Sequence, residues 1–185
     1  MQPVFWYIEY IRAGAGQNVP GLTSVETENK RHRMENMMYT TVNECEHFDF
    51  TTAQVESMRK QGETLVIELA SVTILPENSC NRDIRKMGAP FLALSFSDSR
   101  ISDLVKEGVK VYDADGNLTQ TIPDETLEFG EFATQIQGAC VYELTKSANV
   151  YRVGLETEDC TYLLKLCASG TRQDWERFMN LDNSY

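Results

Sequence analysis

In two runs near the end of the chain every second residue is apolar, and this period constrains the fold more than any other feature. In NVYRVGLETEDCTYLLKLC, Tyr151, Val153 and Leu155 alternate, Glu156 to Asp159 turn the chain, and Tyr162, Leu164 and Leu166 alternate back. Side chains of an extended strand point to opposite faces in turn. A period of two therefore gathers these six residues on one face of an antiparallel pair.

The same period recurs upstream. Leu65, Ile67 and Leu69 alternate behind a Gly-containing turn at Lys60–Glu63, which predicts a hairpin. Val72 and Ile74 continue on the other parity, so a bulge or bend is expected at Ala70–Ser71. A short helix over Thr52–Gln61, ended by Gly62, is the alternative for the first arm. Pro76–Pro90 is rich in turn formers and reads as a long connection. Leu92, Leu94 and Phe96 mark another strand. SDSRISDLVKEG fits one or two helical turns, with Asp98 or Ser99 as cap, Ile101, Leu104 and Val105 on one face, and Gly108 at the end. DETLEFGEFATQIQG, residues 124–138, reads as an acidic connection carrying two phenylalanines. At the C-terminus Thr171 and Asp174 resemble a capping box, and Trp175, Phe178 and Met179 fall at i, i+3 and i+4. A short helix over 171–180 is expected there.

Strands that follow one another through short turns predict a mainly β fold. The expectation is an antiparallel barrel or sandwich of about seven or eight strands, with the helix 171–180 packed on it. The first forty residues stand apart. They hold four basic and four acidic residues and a stretch broken by Pro20, AGAGQNVPGLTS. They read as a loosely attached extension (residues 1–40) before a single β-rich domain (residues 41–185). Two readings of the extension stay open: a flexible partner-binding arm, or sequence upstream of a natural start at Met34, Met37 or Met38 rather than Met1.

Charge narrows the partners. There are 17 Lys and Arg against 28 Asp and Glu, a formal charge of −11. A net anion without a basic cluster repels a phosphate backbone, which argues against nucleic acid. VFWYIEYI, residues 4–11, is too short to span a bilayer and lacks a basic flank, so neither a membrane span nor a signal peptide is read. Five cysteines at 45, 80, 140, 160 and 167, an odd number without a CxxC, fit free thiols and a cytoplasmic location.

Two stretches invite chemistry. VYDADGNLTQTIPD places Asp113, Asp115, Asn117 and Asp124 like ligands of a calcium loop. That loop requires Gly at its sixth position and Glu at its twelfth, and here those are Leu118 and Asp124. Asp-Gly between alternating apolar runs instead predicts a tight hairpin turn at Gly116. Cys45, Glu46, His47 and Asp49 offer a thiol, an imidazole and carboxylates within five residues. On a strand, Cys45, His47 and Asp49 would share a side, which keeps open a zinc or thiol–imidazole centre completed by a carboxylate or by Cys80. No GxSxG, Walker loop, GxGxxG or HExxH is present.

The stretches AQVESMRKQGETLVIEL, VTILPENSCNRDI and YRVGLETEDCTYLLKL resemble small β-rich domains of unknown function from anaerobic Gram-positive bacteria. The resemblance covers residues 48–167. It implies a β-rich cytoplasmic domain and assigns no catalytic, metal or binding residue. The expectation for function is a non-enzymatic domain that binds a small ligand or a protein partner, without cofactor, catalytic residue or metal ligand. The alternatives are a metal-dependent or thiol enzyme centred on Cys45 and His47, and an interaction module using the N-terminal arm and the C-terminal helix.

Overall fold

The computed structural model describes residues 38–181. The extension expected over residues 1–40 lies outside them up to position 37. Tyr39 and Thr40 are inside and belong to the first strand.

In chain order the elements are β1 (Tyr39–Val42), a 3-10 turn (Cys45–His47), β2 (Phe48–Asp49), β3 (Gln54–Gln61), β4 (Thr64–Ile74), β5 (Met87–Ser97) and β6 (Arg100–Lys106). There follow β7 (Val109–Tyr112), β8 (Leu118–Ile122), β9 (Glu125–Thr126), α1 (Phe129–Gln135), β10 (Cys140–Ser147), β11 (Val150–Glu156), β12 (Thr161–Cys167), β13 (Gly170–Trp175) and β14 (Met179–Asn180).

The domain is mainly β and its pairings are antiparallel, as the alternation predicts. The barrel of seven or eight strands is not what forms. Twelve strands make one open sheet in the order β1-β13-β5-β4-β3-β10-β11-β12-β6-β9, with β14 added to β5 and β2 to β4. β7 and β8 pair only with each other. The extra strands are mostly short. β2, β9 and β14 hold two residues each, too few to show a period.

The β3-β10 joint divides the sheet into two halves. The ladder there has one residue pair, Gln54 with Cys140. Neighbouring bonds reinforce it: Thr52 N–H to Val141 O (2.9 Å), Val141 N–H to Ala53 O (2.8 Å) and Val55 N–H to Ala139 O (2.8 Å). Two-residue corners carry the chain between halves, at Asp98–Ser99 from β5 to β6 and at Ala168–Ser169 from β12 to β13. The corners are tied together: the Ser169 hydroxyl donates to Asp98 Oδ2 at 2.6 Å, and Ser169 N–H to Ser97 O at 2.9 Å.

One apolar core takes side chains from both halves. Leu65, Ile67, Leu69, Leu92, Leu94 and Phe96 come from the first, and Tyr151, Val153, Leu155, Tyr162, Leu164 and Leu166 from the second. The Phe96 and Tyr151 rings meet edge to face across it, 5.1 Å between centroids. The period of two is thus the register itself: Tyr151 opposes Leu166, Val153 opposes Leu164, and Leu155 opposes Tyr162. Each such cross-strand pair adds roughly 0.2–1 kcal/mol beyond an alanine pair. The change of parity in β4 is made at Ser71, which adopts φ +61° beside the one position where Pro90 offers no N–H to the ladder.

Two expected helices are strands, and over Thr52–Gln61 the expected hairpin forms rather than the alternative helix. Thr52–Gln61 contains β3, whose hairpin to β4 turns at Gly62 with φ +60°. Arg100–Lys106 is β6, paired with β12. The C-terminal stretch 171–180 contains β13, where Thr171, Gln173 and Trp175 all turn inward and are buried. A period of two with polar inward residues was masked there by the i, i+3, i+4 spacing of Trp175, Phe178 and Met179. The connection 76–90 is shorter than expected, since β5 begins at Met87 and runs through Pro90. The α-helix that does form among the described residues, α1, lies in the stretch read as an acidic connection. Phe129, Phe132, Ala133 and Ile136 give it an apolar stripe at i, i+3, i+4 and i+7. Phe132 and Ile136 are fully buried, and the Phe132 ring meets Tyr162 at 6.0 Å.

Candidate functional site

The calcium-like stretch is a hairpin tip. Asp113 N–H donates to Asn117 O (2.9 Å), Gly116 N–H to Asp113 O (3.1 Å), and Gly116 has φ +82°. The Asp113 carboxylate accepts Asp115 N–H (3.0 Å), Asn117 N–H (2.8 Å) and the Asn117 side-chain amide (3.1 Å). The bonds from Asn117, followed by those from Asp115 and Gly116, hold its pKa below the usual Asp value. The carboxylate that would head a metal loop is already satisfied by backbone donors.

Cys45, His47 and Asp49 do not share a face, because Cys45 and His47 sit in a 3-10 turn rather than a strand. The Cys45 thiol is buried and donates to Thr171 Oγ1 at 3.2 Å, while the Gln173 amide donates to its sulfur at 3.1 Å. Thr41 Oγ1 completes the network by donating to Gln173 Oε1 at 3.0 Å. Burial pushes the Cys45 pKa up, against partial relief from Thr171. A buried thiol of raised pKa is a poor nucleophile at neutral pH. His47 turns the other way, its Nδ1 3.2 Å from Glu44 Oε2, and that oxygen also accepts Ser79 N–H at 3.0 Å. Burial raises the Glu44 pKa, but the bonds from Ser79 and His47 outweigh it and leave it lowered. Asp49 Oδ1 accepts Thr51 N–H at 3.0 Å, and the Cys80 thiol lies 3.6 Å from Thr40 O. Among the described residues no three His, Cys, Asp or Glu side chains converge as a metal site. All five cysteines are free thiols.

What the Cys45 region does form is the wall of an open groove of about 770 Å³. It runs from β2 in the first half of the sheet to the far end of β10 in the second. Its floor is apolar: Phe48, Phe50, Leu75 and Leu144. Phe48 and Phe50 stack at 5.9 Å, and Phe48 is backed edge-on by Trp175 at 5.6 Å, so this floor is fixed by the core beneath it. Lys86, Lys146, Glu46 and Asp49 also line it, and both lysines are exposed. Asp49 is engaged by Thr51, whereas neither lysine has an ion-pair partner among the described residues. Lys146 Nζ instead lies over the Tyr151 ring, 5.5 Å from its centroid. The volume falls within the range of small-molecule sites, and four of the eleven lining residues are charged. A smaller hollow of about 220 Å³ at the corner, lined by Lys60, Glu63, Asp98, Ser99 and Arg100, has no apolar floor. Its Ser99 N–H and hydroxyl are already spent on Glu63 O.

Of the stretch singled out in the sequence, Cys45, Glu46 and Asp49 line this groove and His47 does not. Lys86, Leu75, Leu144 and Lys146 were not singled out: Leu75 is brought beside Phe48 by the β2–β4 pairing, and Leu144 and Lys146 come from β10 in the other half of the sheet.

No known protein family matches the chain, and no curated protein or solved structure matches it either. Among the described residues no helix is long and apolar enough to cross a membrane.

Proposed function

We propose that this is a non-enzymatic binding domain, and that the groove over Phe48 and Phe50 holds a small molecule with an apolar body and an anionic head. The observation that carries the reading is the lining: aromatic and aliphatic side chains together with two lysines that pair with no carboxylate among the described residues. The floor would take up the apolar body, each buried methylene contributing about 0.8 kcal/mol. Lys86 and Lys146 would hold the head as exposed point charges, which sets preference more than affinity. Cys45 serves as a structural thiol tying the 3-10 turn to β13. Five free thiols support a reducing compartment for such a protein.

Calorimetric titration with decanoate, butyrate and decylamine tests this. Decanoate should bind, butyrate should bind far more weakly for want of a tail, and decylamine should bind more weakly than decanoate. Lys86→Ala with Lys146→Ala should remove the difference between decanoate and decylamine. Equal binding of all three, or decanoate binding indifferent to both lysines, would refute the reading.

A further inference from the structure

The β7–β8 hairpin is a separate two-stranded sheet that projects between β6 and β9, and every one of its nine strand residues is exposed. An isolated hairpin is marginally stable in water. This one is pinned at both ends. At the base, Gly108 N–H donates to Asp124 Oδ1 at 2.8 Å, and the strands come so close that a Cβ on Gly108 would lie 2.1 Å from Ile122 O. At the tip stands the Asp113 network described above. A rigidly closed hairpin would ordinarily turn its apolar side toward a core. Here Val109 and Val111 pair with Ile122 and Gln120 on one face, Leu118 continues that face, and Tyr112 pairs with Leu118. All five of these apolar side chains are 40–56% exposed, and they make up half of the ten large exposed apolar residues among those described. Apolar surface concentrated in this way marks an interaction site rather than ordinary surface. Both strands also keep an unpaired edge, a template for an added strand.

Charge selects the occupant. Between Asp103 and Glu131 there are eight carboxylates and two lysines, a net −6 of the chain's −11. A second copy would bring two such fields together, and an anionic lipid surface or a nucleic acid would be repelled by the same field. We propose that the β7–β8 hairpin is a docking arm for an extended segment of a partner protein whose alternating apolar residues are flanked by Lys or Arg. The apolar face supplies contact, the free edge supplies main-chain hydrogen bonds, and the carboxylates around it favour basic segments over acidic ones.

Fluorescence anisotropy with the full chain tests this, using three labelled peptides: Lys-Val-Lys-Val-Lys-Val-Lys, its analogue with Ser for Val, and its analogue with Glu for Lys. The Lys–Val peptide should bind, and each analogue should bind at least about tenfold more weakly. Val111→Thr with Leu118→Thr keeps strand propensity while removing apolar surface. It should weaken the Lys–Val peptide about tenfold, leave the thermal midpoint and the Gly116 amide shift in place, and leave decanoate binding intact. The groove variant at Lys86 and Lys146 should in turn leave peptide binding intact, so the two sites stand or fall separately. The proposal is overturned if the Lys–Ser peptide binds as tightly as Lys–Val, or if the threonine pair changes nothing. A dimer in sedimentation that the threonine pair dissolves would also overturn it, assigning the face to a second copy.

Discussion

Trp175 gives the sharpest test of the packing. It is fully buried on β13, stacked on Tyr39 at 5.6 Å and edge-on to Phe48 and Phe178, each also at 5.6 Å. Its indole Nε1 is buried without a hydrogen-bond partner among the described residues. Two substitutions separate these facts. Trp175→Ala removes the whole ring and should cost about 3–5 kcal/mol. At about 2–4 °C per kcal/mol for a chain of this size, the midpoint should drop by about 6–20 °C. Trp175→Phe removes about three heavy atoms, a loss of roughly 2 kcal/mol at about 0.8 per methylene. It also removes the orphaned donor, whose burial costs about 1–3 kcal/mol. The two nearly cancel, so Trp175→Phe should lie within about 1 kcal/mol of the parent. Urea unfolding followed by far-ultraviolet circular dichroism, with unchanged slope, measures both. Had residues 171–180 been a surface helix, Trp175→Ala would cost about 1 kcal/mol or less. That result would refute the account of β13, and a Phe variant as unstable as the Ala variant would refute the orphaned donor.

Three further outcomes follow from particular contacts. Gly154→Ala would set a Cβ 2.4 Å from the Tyr142 ring, so it should destabilise by about 1–3 kcal/mol, and Tyr142→Ala should relieve much of that in a double-mutant cycle. Additive effects would show that the ring is not the obstacle. The Asp113 pKa is lower folded than unfolded. Its support of the hairpin tip is therefore present above the ordinary Asp value and is lost as pH falls through the depressed one. The Gly116 and Asn117 amide resonances should hold steady down to about the ordinary Asp value and shift only below it. A shift centred at that value would mean the network carries no linkage. Brief alkylation at neutral pH, read by mass spectrometry, should leave Cys45 unmodified until urea is added, because its thiol is buried and its pKa raised. Rapid labelling of native Cys45 would contradict that burial.

The parts of the fold legible in the sequence are those where one period dominates. β11 and β12 carry the clearest alternation, and the six residues it sets on one face, Tyr151, Val153, Leu155, Tyr162, Leu164 and Leu166, are all buried. β4 and β5 are legible for the same reason, including the parity change at Ser71. The rest failed where two periods overlap or where a residue's environment is set at long range. β13 turns Thr171 and Gln173 into the core, which hydropathy reads as surface, and only Cys45 and Thr41 on distant segments make that burial tolerable. α1 was hidden because Glu125, Glu128 and Glu131 dominate its approach while its stripe begins at Phe129. The hairpin tip was legible in detail, since Asp113, Gly116 and Asn117 satisfy one another within five residues. The groove was not, since Phe48 and Leu144 come to it from different halves of the sheet.

The central claim, that the groove over Phe48 and Phe50 is the ligand site, is met most directly by mapping amide shifts in ¹⁵N-labelled protein on adding decanoate. The account predicts shifts confined to residues 45–51, 75, 86 and 144–146, saturating together. Shifts centred on β7–β8, shifts scattered over the surface, or none at saturating decanoate would contradict it.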